Sequence, residues 1–340
     1  MPSFVSDRFW LLLVAIAVVS AVLTELMRRY ALSRELIDRP NDRSSHLVPT
    51  PRGGGVAIVI AFLGGMLVSG DGTSSAAITV LFVGGIGVAL VGFVDDHGHI
   101  AARWRLLAHF SCAAWILCWI GVPRFEWMGA TVDLGMFGAV LAALYLVWLL
   151  NLYNFMDGID GIAGVEALIV GAGGTAIYWL AGLPTASDVG LPALLAAAVL
   201  GFLVWNFPPA RIFMGDAGSG FLGLMLGALS LQAAVVRPAL LWCWLVLLGV
   251  FIVDATVTLI RRLLRGERVY EAHRNHAYQH ASRDFGGHRP VTITVAAINV
   301  LWLLPWAAAI ATGRVDGIVG LAAAYLPLMA LAFRFKAGMA

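Results

Sequence analysis

The stretch NLYNFMDGIDGIAG, residues 151–164, sets Asn151, Asn154, Asp157 and Asp160 at three-residue intervals in a chain that is otherwise mostly apolar. Carboxylate and amide oxygens at this density suit a hard divalent cation or a polar substrate. On an unbroken helix, steps of three drift by about 60° each, so the four side chains would fan out. Gly158 and Gly161 stand where a helix can break and let them converge. A plain helix–helix turn needs only one or two such residues.

Four other stretches carry polar groups in patterns of the same kind. VGFVDDHGHI ends an apolar run at Asp95 and Asp96. Acids at a helix C-terminus are disfavoured by about 0.3–1 kcal/mol each. Two carboxylates ~4 Å apart repel by about 4 kcal/mol at an effective dielectric near 20. A cation, a metal or a shared proton would relieve both. FMGDAGSG (213–220) leads into another apolar run, where Asp216 is an N-cap or the backbone amides seat a phosphate. PTPRGGG (49–55) presents a helix start in the same way, with Arg52 beside it. In AHRNHAYQH (272–280), His273, His276 and His280 fall at i, i+3 and i+7, one face of a helix if helical. No Glu or Cys completes a zinc pattern, and Arg274 among them suits an anionic phosphate. Five Asp on one face need a divalent cation, and oxygen donors without Cys favour Mg²⁺, with Mn²⁺ as a substitute. Together with helix N-termini and Arg, these are the components of phosphoryl transfer.

The elements that must position these groups are membrane helices. Hydrophobic residues are 60% of the 340 and charged residues 12%, about half the charged share of a soluble protein. Eleven apolar runs, near 9–27, 53–70, 76–94, 104–121, 134–151, 159–182, 189–206, 217–236, 238–260, 290–311 and 315–333, predict an all-α, polytopic protein of about eleven transmembrane helices. The whole chain, 1–340, reads as one transmembrane domain, with loops near 28–52, 95–103, 151–158, 207–216 and 261–289 on one face. That face would hold eighteen of the 22 Lys and Arg, which by the positive-inside rule makes it cytoplasmic. The N-terminus then lies outside and the C-terminus inside. Every polar stretch falls on the cytoplasmic side. Cys112, Cys118 and Cys243 lie in apolar runs without a CxxC pattern, so neither disulfide nor zinc chemistry is indicated. A secondary transporter is the rival class, but it would place ionisable residues at mid-membrane in two related halves, and these cluster at one end. Asp254, seven and eight residues before Arg261 and Arg262, is expected to pair or snorkel at the interface.

In the order SHLVPTPRGGG, FVDDHGHI, NLYNFMDGIDG, FMGDAGSG and a His-rich loop, residues 38–280 resemble the polyprenyl-phosphate N-acetylhexosamine-1-phosphate transferases. That membrane superfamily includes the bacterial peptidoglycan translocase and the dolichyl-phosphate GlcNAc-1-phosphate transferase. The resemblance implies a reaction in the bacterial cytoplasmic (inner) membrane. Undecaprenyl phosphate attacks the sugar-linked phosphorus of a UDP-N-acetylhexosamine, giving a lipid diphosphate sugar and UMP. It implies Asn154 and Asp216 as Mg²⁺ ligands, and Asp95 and Asp96 as the pair that activates or positions the lipid phosphate. Asp157 and Asp160, with Phe213 stacking, match nucleoside-side positions, with Asn151 and Arg52 also at the substrate. His273, Arg274 and His276 match the loop holding sugar and pyrophosphate. The bilayer and the two substrates are the implied partners, nucleic acid is not, and a homodimer is allowed. The bacterial peptidoglycan and GlcNAc branches read His-x-His-His in the last loop, and the peptidoglycan enzyme carries a first-loop Lys. This chain reads His273-Arg274-Asn275-His276 and has a single Lys, Lys336. HRNHAYQHASR is most similar to the branch that initiates O-antigen with N-acetylfucosamine- or N-acetylquinovosamine-type sugars.

Overall fold

The computed structural model describes residues 7–40, 45–46, 48–69, 75–98, 100–127, 129–183, 189–267 and 273–339. Arg43 and Arg268, two of the cations expected on the cytoplasmic face, and His99 of the VGFVDDHGHI stretch lie outside the described residues. The protein is a helical bundle. Its first half runs through α1 (Asp7–Ser33), α2 (Val56–Val68), α3 (Ser75–His97), α4 (Ala102–Ile120), α5 (Gly135–Met156) and α6 (Ile162–Leu180). The second half runs through α7 (Leu191–Asn206), α8 (Asp216–Val236), α9 (Ala239–Leu247), α10 (Gly249–Leu264), α11 (Ala277–Asp284), α12 (His288–Ile298), α13 (Leu304–Ala311) and α14 (Gly317–Arg334). Two short antiparallel pairs, Ile37–Asp38 with Thr50–Pro51 and Phe125–Trp127 with Ala130–Val132, close loops at opposite ends.

Each apolar run holds a helix, but the count of spans differs from eleven. Among the described residues seven helices are long and apolar enough to cross a bilayer, and α9 with α10 makes an eighth if that pair, bent by 74°, is one span. α2 and α7 are shorter, and α4, which opens with two Arg and holds His109, is less apolar. The run at 238–260, read as one helix, turns at Leu248 between α9 and α10. α12 and α13 are joined through a π turn, Asn299–Leu303, where the Asn299 amide donates to the buried Glu166 carboxylate of α6.

α8 is the centre of the bundle, buried along nearly its whole length, whereas α1 buries only Ile16, Ser20, Thr24 and Ala31. Its outward Trp10, Leu11, Val14 and Val18 are more than half exposed, as expected of a lipid-facing helix. Small residues let α8 lie against its neighbours at backbone distance, the usual solution where lipid gives no hydrophobic drive. A Cβ on Gly223 would sit 2.7 Å from Leu149 O, and one on Gly92 of α3 would sit 2.5 Å from Ala217 N. The second contact sets the end of α3, with Asp95 and Asp96, against the start of α8.

Candidate functional site

α5 ends at Met156, and Gly161, in the left-handed region at φ +72°, starts α6. The predicted break is therefore real, and it bends the 157–161 segment into a polar cavity of about 280 Å³. Asn154, Asp157 and Asp160 line that cavity together with Arg52, Asp96, Phe213 and Asp216. Asn151 does not join them. One turn back on α5, its amide donates to Val147 O at 2.7 Å, and it faces a second cavity of about 200 Å³ with Asp95, Arg105 and His109. Asn154 and Asp216 line both spaces, so they form a shared wall.

The two neighbouring acids separate. Asp95 pairs with Arg105 and accepts from Ile100 N at 2.7 Å. Asp96, buried, accepts from the backbone amides of Asp216 and Ala217 at 3.2 and 3.4 Å, while Arg52 donates to its backbone carbonyl. This corrects two expectations. Asp216 is the first residue of α8 and not its cap, and the helix start read as a phosphate seat already holds the Asp96 carboxylate. The PTPRGGG amides are also engaged, since Gly54 N and Gly55 N donate to the carbonyls of Phe213 and Met214 at 2.9 and 2.8 Å.

Asp216 Oδ1 accepts from the Asn154 amide at 3.0 Å, and its Oδ2 is 3.7 Å from Arg105. Asp157 opens into the first cavity with no hydrogen bond from the described residues. Burial first, then the charges of Asp216, Asp96 and Asp160, hold its carboxyl well above the usual carboxylate range. Asp160 is the opposite case. Burial pushes it up, but His288 at 2.9 Å and Ala210 N at 2.9 Å bring it below its ordinary value. His46 and Phe213 form an aromatic ledge with ring centroids 4.8 Å apart. No three His, Cys, Asp or Glu side chains among the described residues form a ready-made metal cage. The donors fit an ion held by one or two carboxylates and completed by substrate phosphate and water, which is the usual manner of Mg²⁺.

The His-rich loop differs most from expectation. His273, His276 and His280 do not share a helix face, because α11 starts only at Ala277 with His276 as its cap. His276 turns inward: its Nδ1 lies 3.2 Å from Asp254 Oδ1, and it lines neither cavity. Asp254 also accepts from Ala277 N and Tyr278 N at 2.9 and 3.0 Å, so it anchors the loop. The expected pairing with Arg261 or Arg262 is absent from the hydrogen bonds of Asp254, since Arg262 pairs with Glu267 and Arg261 donates to Ala337 O. His273 lies between the rings of Phe155 and His276, and burial with the nearby His276 and Arg262 charges pushes it down to about 4, neutral at pH 7. Arg274 is exposed.

α11 reaches the site instead through Tyr278, whose hydroxyl donates to Phe155 O at 3.1 Å, and through Gln279, which lines the first cavity. Sequence reasoning missed Arg105, His288, Asn206 and Gln279. Asn206 accepts from Gly161 N and donates to Ile212 O, tying the two site loops together. Gly158 fits beneath Tyr278, whose hydroxyl a Cβ would strike. Gly158→Ala is expected to lift α11 and lower turnover by about tenfold, the effect of one displaced hydrogen bond at a site, with the protein still membrane-integrated. Turnover assays beside size-exclusion chromatography in detergent check it.

Oxygen donors, Arg and buried amides at one end of a polytopic helical bundle define a membrane-embedded enzyme built to handle phosphate. Residues 78–234 match the glycosyl transferase family 4 model. The chain is 30% identical over 302 residues to a probable undecaprenyl-phosphate N-acetylglucosaminyl 1-phosphate transferase of Bacillus subtilis, covering 83% of this chain and 79% of that protein. It is 27% identical over 321 residues to a decaprenyl-phosphate N-acetylglucosaminephosphotransferase of Mycobacterium tuberculosis, with 82% and 77% covered. A third relative, an undecaprenyl-phosphate alpha-N-acetylglucosaminyl 1-phosphate transferase of Thermotoga maritima, is 26% identical over 281 residues, with 82% and 84% covered. The chain belongs to the polyprenyl-phosphate hexosamine-1-phosphate transferase superfamily.

Proposed function

We propose that the protein transfers an N-acetylhexosamine-1-phosphate from a UDP-sugar to undecaprenyl phosphate, releasing UMP, as the first membrane step of O-antigen or related surface polysaccharide synthesis. The observation that carries this reading is the wall of Asn154 and Asp216 between two cavities, one polar and one partly apolar. A phosphate oxygen of the lipid attacks the sugar-linked phosphorus. The bond from that phosphorus to the bridging oxygen breaks, and UMP leaves with the electron pair. The sugar–oxygen bond is untouched.

Asp216 and Asn154 would hold Mg²⁺, with Asp157 open to the same space. When bound, the ion supplies charge neutralisation on the diphosphate and relieves the acids crowded there. The His46–Phe213 ledge supports stacking of uracil. Arg52, held on Asp96, adds positive charge at the polar end, and Asp160 keeps the loop shape through His288 and Ala210. The cation distribution of the sequence supports a site on the cytoplasmic side of a bacterial inner membrane.

A second reading, GlcNAc-1-phosphate transfer for another envelope glycan, is favoured by the names of the relatives. The distinctive HRNHAYQHASR segment favours the first. Purified protein incubated with undecaprenyl phosphate and a panel of UDP-N-acetylhexosamines, read by mass spectrometry, tests both. A lipid diphospho-sugar from at least one donor is the expected result. No lipid product from any donor would overturn the proposal.

A further inference from the structure

His280, the third histidine of the His-rich loop, lines neither cavity. It faces instead the segment that follows α14. Its Nδ1 accepts from Arg283 at 2.7 Å and its Nε2 donates to Met339 O at 3.1 Å, so a single tautomer serves both contacts. The two preceding carbonyls are held from the end of α10, Ala337 O by Arg261 at 2.9 Å and Gly338 O by Arg265 at 2.8 Å. Gly338 N in turn donates to Asn275 O at 2.6 Å, within the His273–His276 loop. The backbone is shaped for these contacts. Lys336 and Gly338 lie in the left-handed region at φ +52° and +72°, and Ala337 is fully buried. A Cβ on Gly338 would sit 2.8 Å from Arg261 Cβ and 2.9 Å from Thr258 O. Chain beyond a last helix is ordinarily loosely held unless tied down. This segment is fastened to α10, to the His-rich loop and to α11 through three consecutive residues.

The loop has few attachments of its own. Asp254 anchors it at His276, and His273 packs between the rings of Phe155 and His276. Among the described residues, the bond from Gly338 N is the only hydrogen bond that residues 273–275 make outside the loop. Arg274, next to Asn275, is exposed, so its backbone and not its packing sets its place. We propose that residues 337–339 are positioning residues for the sugar end of the site. By fixing Asn275 they set where His273 and Arg274 stand, and Arg261, Arg265 and His280 hold the segment down. The inference rests on the transferase reading above, with the His273–His276 loop meeting the sugar and diphosphate of the UDP-sugar as the family resemblance implies. It adds residues that touch no substrate and act through that loop. The same segment holds α11 at His280, which steadies Tyr278 and Gln279 where they reach the site.

Steady-state kinetics of the purified full chain in detergent test the assignment with Gly338→Val, Arg265→Gln, Arg265→Lys and Arg274→Ala. The donor is the UDP-N-acetylhexosamine that the panel above selects. Gly338→Val sets a β-branched residue at a positive φ and against Arg261 and Thr258, which lifts the segment off Asn275. It should raise the KM for the UDP-sugar by about tenfold, less than the ~hundredfold that a 1 Å misplacement can cost, and change the KM for undecaprenyl phosphate by less than about twofold. Arg265→Gln should move the same way by a smaller factor, and Arg265→Lys, which keeps a donor for Gly338 O, should stay near wild type. The decisive arm is Gly338→Val in the Arg274→Ala background. If the segment acts through the loop, the double variant is no worse than Arg274→Ala alone, whereas independent effects would multiply. Multiplied effects, or both KM values rising alike, would make the segment a general structural support and overturn the inference. Unchanged UDP-sugar KM in Gly338→Val and Arg265→Gln, with Arg274→Ala impaired, overturns the inference alone. An unimpaired Arg274→Ala takes the loop out of the donor site and overturns the inference with it. A folded wild type that makes no UMP from undecaprenyl phosphate and any UDP-sugar overturns the transferase reading beneath both. Should Gly338→Val not fold, Arg265→Gln alone and in the Arg274→Ala background decides.

Discussion

Asp216→Asn is expected to lower formation of lipid-linked sugar by about a thousandfold, the scale of losing a charged group that acts on the transferred phosphate. The substitution keeps size and shape and removes one negative charge. Asp216 sits in the wall between the two cavities, against the Asn154 amide at 3.0 Å and 3.7 Å from Arg105. An amide there is a weaker ligand for Mg²⁺ and no counter-charge for Arg105. The fold should survive, because Asp96 holds the start of α8 through the backbone amides of residues 216 and 217 and not through the Asp216 side chain. UMP release measures the first effect, and monodisperse elution from membranes in mild detergent measures the second. Near-normal turnover in the variant would remove Asp216 from the metal site.

Asp157→Asn should separate activity from stability. The carboxyl is half-buried on the wall of the polar cavity, faces the charges of three other Asp, and accepts no hydrogen bond from the described residues. Such a group is held at a cost to the fold, and replacing it with a neutral isostere relieves repulsion. The thermal midpoint of the variant should stay level or rise, while turnover falls by about a thousandfold, the pattern of a site where function opposes stability. A clear drop in midpoint would show instead that the Asp157 carboxylate holds the 157–161 turn in place.

The sequence and the structure agree most where a signal is local. The break at Gly158 and Gly161, the convergence of the polar stretches at one end of the bundle, and an apolar helix for every apolar run all follow from residue types and their spacing. What could not be read depends on partners far along the chain. Asp160 meets His288 across 128 residues, Asp96 meets the start of α8 across 120, and Asp254 finds the His276 ring 22 residues on. Helix N-termini suit phosphate in sequence because their amides are open locally. In the folded chain Asp96 and the Phe213–Met214 carbonyls reach them first. The face expected of His273, His276 and His280 failed for a related reason. Asp254 fixes the helix start at Ala277, so the first two His precede it. Arg105 carries a weak local signal, a cation ten residues after Asp95, which sequence alone does not distinguish from the other cytoplasmic-face cations.

The central claim is transfer at phosphorus, and the identity of the nucleotide product tests it most directly. Purified protein with undecaprenyl phosphate, Mg²⁺ and an accepted UDP-sugar should release UMP in one-to-one ratio with lipid diphospho-sugar, and chelation of the metal should stop both. Release of UDP, with the sugar joined to a lipid monophosphate, would place the attack at the sugar carbon and contradict the account.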